Sequence, residues 1–145
     1  MKKALAFLMT FLTVAMFFDP ITAKASNEDD VLTLMNAVRE SAGLEAFTVD
    51  EDLQDIAEIR AVECSQKFSH IRPNGKAWYT VSKLTNGENL AHAVTMTQQK
   101  PENVVYAWTL SPKHYANVVR STFSSVGIAY YSNDNGETFI VCEFR

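Results

Sequence analysis

The sequence predicts an α+β domain, and three observations carry that prediction. Apolar residues recur at helical spacing from about residue 29 to residue 118, with breaks at Gly and Pro. After residue 125 the period switches to alternation interrupted by turn chemistry. The 145 residues are 47% hydrophobic and 21% charged, which supplies one core and excludes disorder as the default. Helices first and an antiparallel hairpin last pack as layers, with apolar helix faces lying on a small antiparallel sheet.

The first residues stand apart from this domain. Lys2 and Lys3 precede the apolar run Ala4 to Phe18, and Ala23-Lys24-Ala25 follows as a small-x-small cleavage pattern. Asp19 and Pro20 end the run after 15 residues, short of the roughly 20 that cross a bilayer. Residues 1–25 therefore read as a secretory signal peptide, in preference to a retained membrane anchor, and residues 26–145 as one exported domain with no membrane span. Cleavage removes Lys2, Lys3, Lys24 and Asp19 from 13 basic and 17 acidic residues, leaving a formal charge of −6. That balance argues against nucleic acid or an anionic membrane surface as the main partner, because both need clustered Lys and Arg.

From Asp29, Val31, Leu34, Met35 and Val38 follow the spacing of an amphipathic helix, acidic residues open it, and Gly43 sits where a C-cap belongs. Phe47 and Val49 make a short extended piece. Asp50 caps a second helix, with Glu51 and Asp52 favourably placed in its first turn. Leu53, Ile56, Ala57, Arg60 and Cys64 recur at helical spacing, so this helix runs to about Lys67 and delivers His70 just beyond its end. Pro73-Asn74-Gly75 is a turn. Trp78, Val81 and Leu84 predict a short helix before Asn86-Gly87 breaks it, and residues from His92 to Lys100 carry no period and read as loop. Pro101 suits a first helical position, Val104, Val105 and Trp108 share a face, and Ser111 ends the helix because Pro112 pushes it out of the α region. A last short helix from Pro112 carries His114, Asn117 and Val118. Val126, Ile128 and Tyr130 alternate with small residues, Asn133-Asp134-Asn135-Gly136 is turn chemistry, and Phe139 to Phe144 completes a β-hairpin. The aromatic residues Tyr106, Trp108, Tyr115, Tyr130 and Tyr131 are expected in the core.

Cys64 and Cys142 are an even pair in a chain read as exported, which favours a disulfide between them. Closing so long a loop would add on the order of 4 kcal/mol in the chain-entropy picture. Two separate buried thiols are the alternative.

The candidate chemistry lies between Lys67 and Asn117, in three polar signatures: Phe68-Ser69-His70-Ile71-Arg72-Pro73-Asn74-Gly75, Gly87-Glu88-Asn89-Leu90-Ala91, and Trp108 to Asn117. His70 and His114 are 44 residues apart and form no local metal motif. Each nevertheless lies at an element end, beside proline and serine, where rigid scaffolds carry their sites. The reading is that His70, Glu88 and His114 converge on one cleft. Asn89 is read as structural, bracing the loop. Ser69 is adjacent to His70, which rarely gives the side-chain hydrogen bond a nucleophile needs. His92, Lys113 and Arg120 are read as solvent-facing.

Together these signatures, with Leu34-Met35-Asn36-Ala37-Val38-Arg39 and the closing strand, resemble the CAP superfamily of cysteine-rich secretory, antigen 5 and pathogenesis-related 1 proteins, in its small bacterial extracellular branch. The resemblance implies a three-layer αβα sandwich over residues 26–145 and a central cleft lined by His70, His114 and Glu88. It also implies Zn²⁺ or another divalent metal in that cleft, and for some eukaryotic members sterols or fatty acids. One departure matters: the family's second carboxylate is missing, since no Asp or Glu occurs from Ile71 to Gly87 and Asn74 occupies the turn. A hydrolytic zinc site needs about three protein ligands and a separate base. With Glu88 the only carboxylate, it serves as ligand or as base but not as both. The expected function is therefore a secreted, extracellular binding domain whose cleft holds a divalent metal or small ligand and which meets an extracellular ligand or protein. The alternatives are a metal-dependent hydrolase acting on extracellular peptide or cell-wall material, with Glu88 as its catalytic group, and a lipid or sterol carrier.

Overall fold

The computed structural model describes residues 25–145; apart from Ala25, the expected signal peptide lies outside the described residues. The first helix, α1 (Asn27–Ser41), begins two residues earlier than the periodicity indicates because Ser26 caps it. Its hydroxyl accepts from Asp29 N at 3.2 Å, and the Asp29 carboxylate accepts from Ser26 N at 3.2 Å, a reciprocal pair that satisfies two orphan donors. Gly43, with φ of 72°, ends it. Next come β1 (Thr48–Val49) and α2 (Glu51–Gln66), the latter capped by Asp50 accepting from Leu53 N at 3.1 Å. The helix expected from Trp78 to Leu84 is a single 3₁₀ turn, Trp78–Thr80. Where a break and a loop were expected there is a strand, β2 (Gly87–Ala93). The remaining elements follow the sequence reading: α3 (Pro101–Leu110), α4 (Pro112–Val118), β3 (Ser125–Ser132) and β4 (Thr138–Phe144).

The sheet order is β1-β3-β4-β2, antiparallel except that β1 runs parallel to β3. The sheet is thus mixed, not wholly antiparallel as expected. Alternation along β4 builds both cores. Ile140, Cys142 and Phe144 join Val31 and Met35 of α1 and Val104 and Trp108 of α3, while Phe139 and Val141 join Ala57, Ala61 and Cys64 of α2. With α2 on one face and α1, α3 and α4 on the other, the fold is the three-layer αβα sandwich. Gly127 sets the spacing on the α2 side, since a Cβ there would stand 2.1 Å from the Leu53 carbonyl carbon. On the other side Arg39 is buried, stacks over Phe47 and donates to the carbonyls of Glu45, Val118, Arg120 and Phe123, binding α1 to the end of α4.

The same alternation corrects the expected disulfide. Cys64 points into the core under α2 and Cys142 into the core on the opposite face, so the sheet stands between two free, buried thiols. Burial pushes the Cys64 thiol up to about 11 and Cys142 well above its ordinary value. The aromatic expectation is also corrected. Trp108 is core and Tyr130 packs against it half-buried, but Tyr106, Tyr115 and Tyr131 are exposed. Among the described residues no helix is long and apolar enough to cross a membrane.

Candidate functional site

The site is built on a charged residue inside an apolar stripe. Arg60 lies on the buried face of α2 with its side chain fully enclosed, a placement that is costly unless every donor is paired. Its Nε donates to Glu88 Oε2 at 2.6 Å and its Nη2 to Glu88 Oε1 at 3.2 Å. Nη2 also reaches the Ser69 carbonyl at 2.9 Å, and Nη1 reaches Glu63 Oε2 at 2.7 Å. Glu63 is in turn held by Arg72 at 2.6 Å. One guanidinium therefore fixes α2 to β2 and to the segment carrying His70.

His70 completes the arrangement, its Nδ1 lying 2.8 Å from Glu88 Oε1. Burial raises the Glu88 carboxyl, but the hydrogen bonds from His70 and Arg60 outweigh it and hold the group below the usual carboxylate range. An ionised carboxylate only accepts, so His70 Nδ1 is a protonated nitrogen, and Nε2 is the one that carries the lone pair whenever the ring is neutral. The Glu88 side chain is fully buried whereas that of His70 is 50% exposed, so the carboxylate reaches the cleft only through the imidazole. Both Glu88 oxygens are already engaged.

His114 arrives from the other helical layer. Asn89 Nδ2 donates to the His114 carbonyl at 3.1 Å and Asn89 Oδ1 accepts from Asn117 Nδ2 at 2.9 Å, so the structural reading of Asn89 holds and its task is to clasp α4 to β2. Burial, and then the neighbouring His70 imidazole, hold His114 below the usual histidine range and keep it neutral at pH 7. His70 and His114 line one cleft of about 360 Å³ together with Phe68, Ser69 and Leu90. The three residues expected to converge do so, two as walls and Glu88 as a support beneath.

Neighbouring residues are engaged elsewhere. Ser69 Oγ accepts from Ile71 N at 2.9 Å, bracing its own loop. His92 stacks on Phe139 at 4.6 Å and pairs with Glu137 at 3.2 Å, behind Phe68. Lys113 and Arg120 are exposed as expected.

A second buried carboxyl went unnoticed in the sequence. Glu143 stands directly opposite Glu88 in the β2–β4 ladder and is fully buried. Its Oε2 bonds Thr85, while Oε1 has no hydrogen-bond partner among the described residues. Burial, then the Glu88 charge, push this carboxyl up to about 9, so it is neutral at pH 7. Arg60, Glu63, Arg72, Thr85 and Glu143 all support the site. The one available signal was Arg60 falling on an apolar helical stripe.

Among the described residues no group of three or more His, Cys, Asp or Glu is disposed to hold a metal ion. The cleft does offer two imidazoles, one oriented by a buried carboxylate at its Nδ1, the donor chemistry of a partly open two-histidine site.

Residues 32–144 match the cysteine-rich secretory protein (CAP) family. The uncharacterized protein YkwD of Bacillus subtilis (strain 168) is 32% identical over 111 residues, covering 71% of this chain and 42% of that protein; the chain spans less than half the length of that relative. An extracellular protein containing an SCP domain from Bacillus anthracis str. Ames superposes with a TM-score of 0.67 at 18% identity, over 81% of this chain and 39% of that one. The structure of NaASP2 with Zn²⁺ superposes with a TM-score of 0.63 at 16% identity, over 86% of this chain and 82% of that one. At such identities the likeness is one of fold.

Proposed function

Because the chain belongs to the cysteine-rich secretory protein family, we propose that it is an exported, extracellular binding module whose cleft between His70 and His114 takes a divalent metal ion, with zinc the first candidate. The observation that carries this reading is the chain of bonds from Arg60 through Glu88 to His70 Nδ1. It orients His70 so that Nε2 is the nitrogen left to bind, in a cleft shared with the neutral imidazole of His114. His70 and His114 would hold the ion and Glu88 would orient His70, a supporting place beside the metal and not a ligand's. A bound zinc supplies a Lewis-acid centre with positions open to water or a small ligand. Phe68 and Leu90 give that ligand an apolar wall. Export is supported by the signal-like residues 1–25 and by the extracellular neighbour. Binding is favoured over hydrolysis because Glu88, fully engaged by Arg60 and His70, is not free to take a proton from water.

Calorimetric titration of the chain from Ser26 with ZnCl₂ tests this. Wild type is expected to bind one ion, His70→Ala and His114→Ala to lose it, and Glu88→Gln, with folding checked by circular dichroism, to weaken it by about 10–100-fold. Affinity falls as pH drops, since protons compete for the same nitrogens. Unchanged binding in both histidine variants would remove the cleft from consideration.

A further inference from the structure

The second feature lies at the opposite edge of the sheet from the cleft and is independent of it. β1 pairs with β3 only at Ser125 and Val126, so among the described residues β3 is an open edge strand for the rest of its length. The β3–β4 register runs from Val126 opposite Phe144 to Ser132 opposite Thr138 without a bulge. In a regular antiparallel pair, every second residue turns both its N–H and its C=O away from the partner.

The parity is fixed by observation. Gln54 accepts from Ile128 N at 3.0 Å and donates to Ile128 O at 2.7 Å, the two bonds a neighbouring strand would make at that position. Ile128 therefore faces outward, and so do Tyr130 and Ser132. Neither of these residues' backbone groups has an outward partner among the described residues. Open edges are usually blunted by lysine, proline or a bulge, and the run Ile128–Ser132 contains none of them.

The surroundings select a partner. Two hollows of about 270 and 280 Å³ adjoin along this edge and share Glu28 and Gln54. Glu28 comes from the α1 layer and Glu58 from the α2 layer, with Asp29 at the β1 end and Val62 and Tyr131 as apolar floor. Among the described residues no Lys or Arg lines either hollow. Side chains of an added strand would alternate between the two faces of the sheet, meeting Glu28 on one and Glu58 on the other. The formal charge of −6 on residues 26–145 favours the approach of such a cation-bearing chain.

We propose that the outer edge of β3 from Tyr130 to Ser132 docks an extended peptide segment with basic side chains, which adds as a further strand beyond the Gln54 amide. Main-chain bonds to Tyr130 and Ser132 supply the affinity, and Glu28 and Glu58 supply the preference for Lys or Arg.

The test uses the chain from Ser26, which holds every described element, and an acetylated peptide of alternating lysine and valine as the probe. Backbone amide spectra are expected to shift around Tyr130 and Ser132 on saturable addition of the peptide, with hydrogen exchange slowed at both amides. A glutamate–valine counterpart and a lysine–valine peptide N-methylated at its inner amides should each bind about tenfold more weakly or worse. Ser132→Pro, which removes one outward N–H and no backbone bond to β4, only the contact of the Ser132 hydroxyl with Thr138, and Glu58→Lys should weaken the parent peptide similarly. Three results would overturn the proposal: no saturation into the millimolar range, shifts centred elsewhere, or binding indifferent to N-methylation, which is charge attraction without a strand. Sedimentation showing a dimer, with Tyr130 and Ser132 protected in the absence of peptide, would assign the edge to a second copy and overturn it as well.

Discussion

Replacing Glu143 by glutamine should stabilise the domain, and by an amount that grows with pH. The carboxyl titrates from an ordinary 4.5 in the unfolded chain to about 9 in the folded one. For an acid whose folded pKa is raised, the folded state keeps a proton that the unfolded state releases. Its stability is whole below the unfolded value and erodes as pH rises toward 9. At pH 7 the erosion is at most about 3 kcal/mol, taking roughly 1.4 kcal/mol per pH unit over the interval from 4.5. Glutamine copies the neutral acid: its carbonyl can take the place beside Thr85 and its amide can present a donor toward Glu88. The gain is expected to be under about 1 kcal/mol at pH 5 and about 3 kcal/mol at pH 7, or on the order of 10 °C in melting temperature for a domain of this size. Urea unfolding followed by circular dichroism at pH 5, 7 and 8.5, wild type against variant, reads it directly. A gain that stays flat across pH, or a variant less stable than wild type at pH 8.5, would refute the claim that Glu143 is held neutral.

Other expectations follow from the same geometry. Arg60→Met strands the buried Glu88 carboxylate and should cost about 3–5 kcal/mol in denaturant unfolding; a loss below about 1 kcal/mol would mean that the carboxylate is not dependent on Arg60. Gly127→Ala drives a methyl into the Leu53 backbone and should cost more than about 2 kcal/mol or abolish soluble expression, whereas a normal melt would show that α2 slides freely on β3. Thiol titration should find both Cys64 and Cys142 reactive in denaturant without reductant and neither in the native protein, and a melting temperature lowered by reductant would speak for a bridge after all.

The parts legible in the sequence were those in which local chemistry and tertiary demand agree. Asp50, Pro101 and Pro112 mark helix starts because capping and a fixed φ act within one turn, and the hairpin shows because β3 and β4 alternate around a four-residue turn signal. β2 escaped because its sequence, GENLAHA, places Glu88 and Asn89 inside a strand. Those residues are tolerable there only because Arg60, His70, His114 and Asn117 answer them from elsewhere in the chain. Glu143 escaped for the same reason, as a polar residue in an apolar strand whose partner is set by register and not by sequence distance. The cysteine pair misled because parity counts and connectivity does not reveal which face of a sheet each side chain occupies. Convergence of His70, Glu88 and His114 was readable from their places at element ends and in the family's pattern. That Glu88 supports the cleft from below depended on Arg60, whose place in the apolar stripe was visible but whose bonds were not.

The clasp of Asn89 between β2 and α4 has a mechanical corollary. One imidazole hangs from the end of α2 and the other from α4, so at this edge the two outer slabs of the sandwich face each other around the rim of the strand between them. Anything gripped by both rings would rivet slab to slab across that rim. Occupancy of the cleft would then be felt as stiffening in helices that never touch the guest.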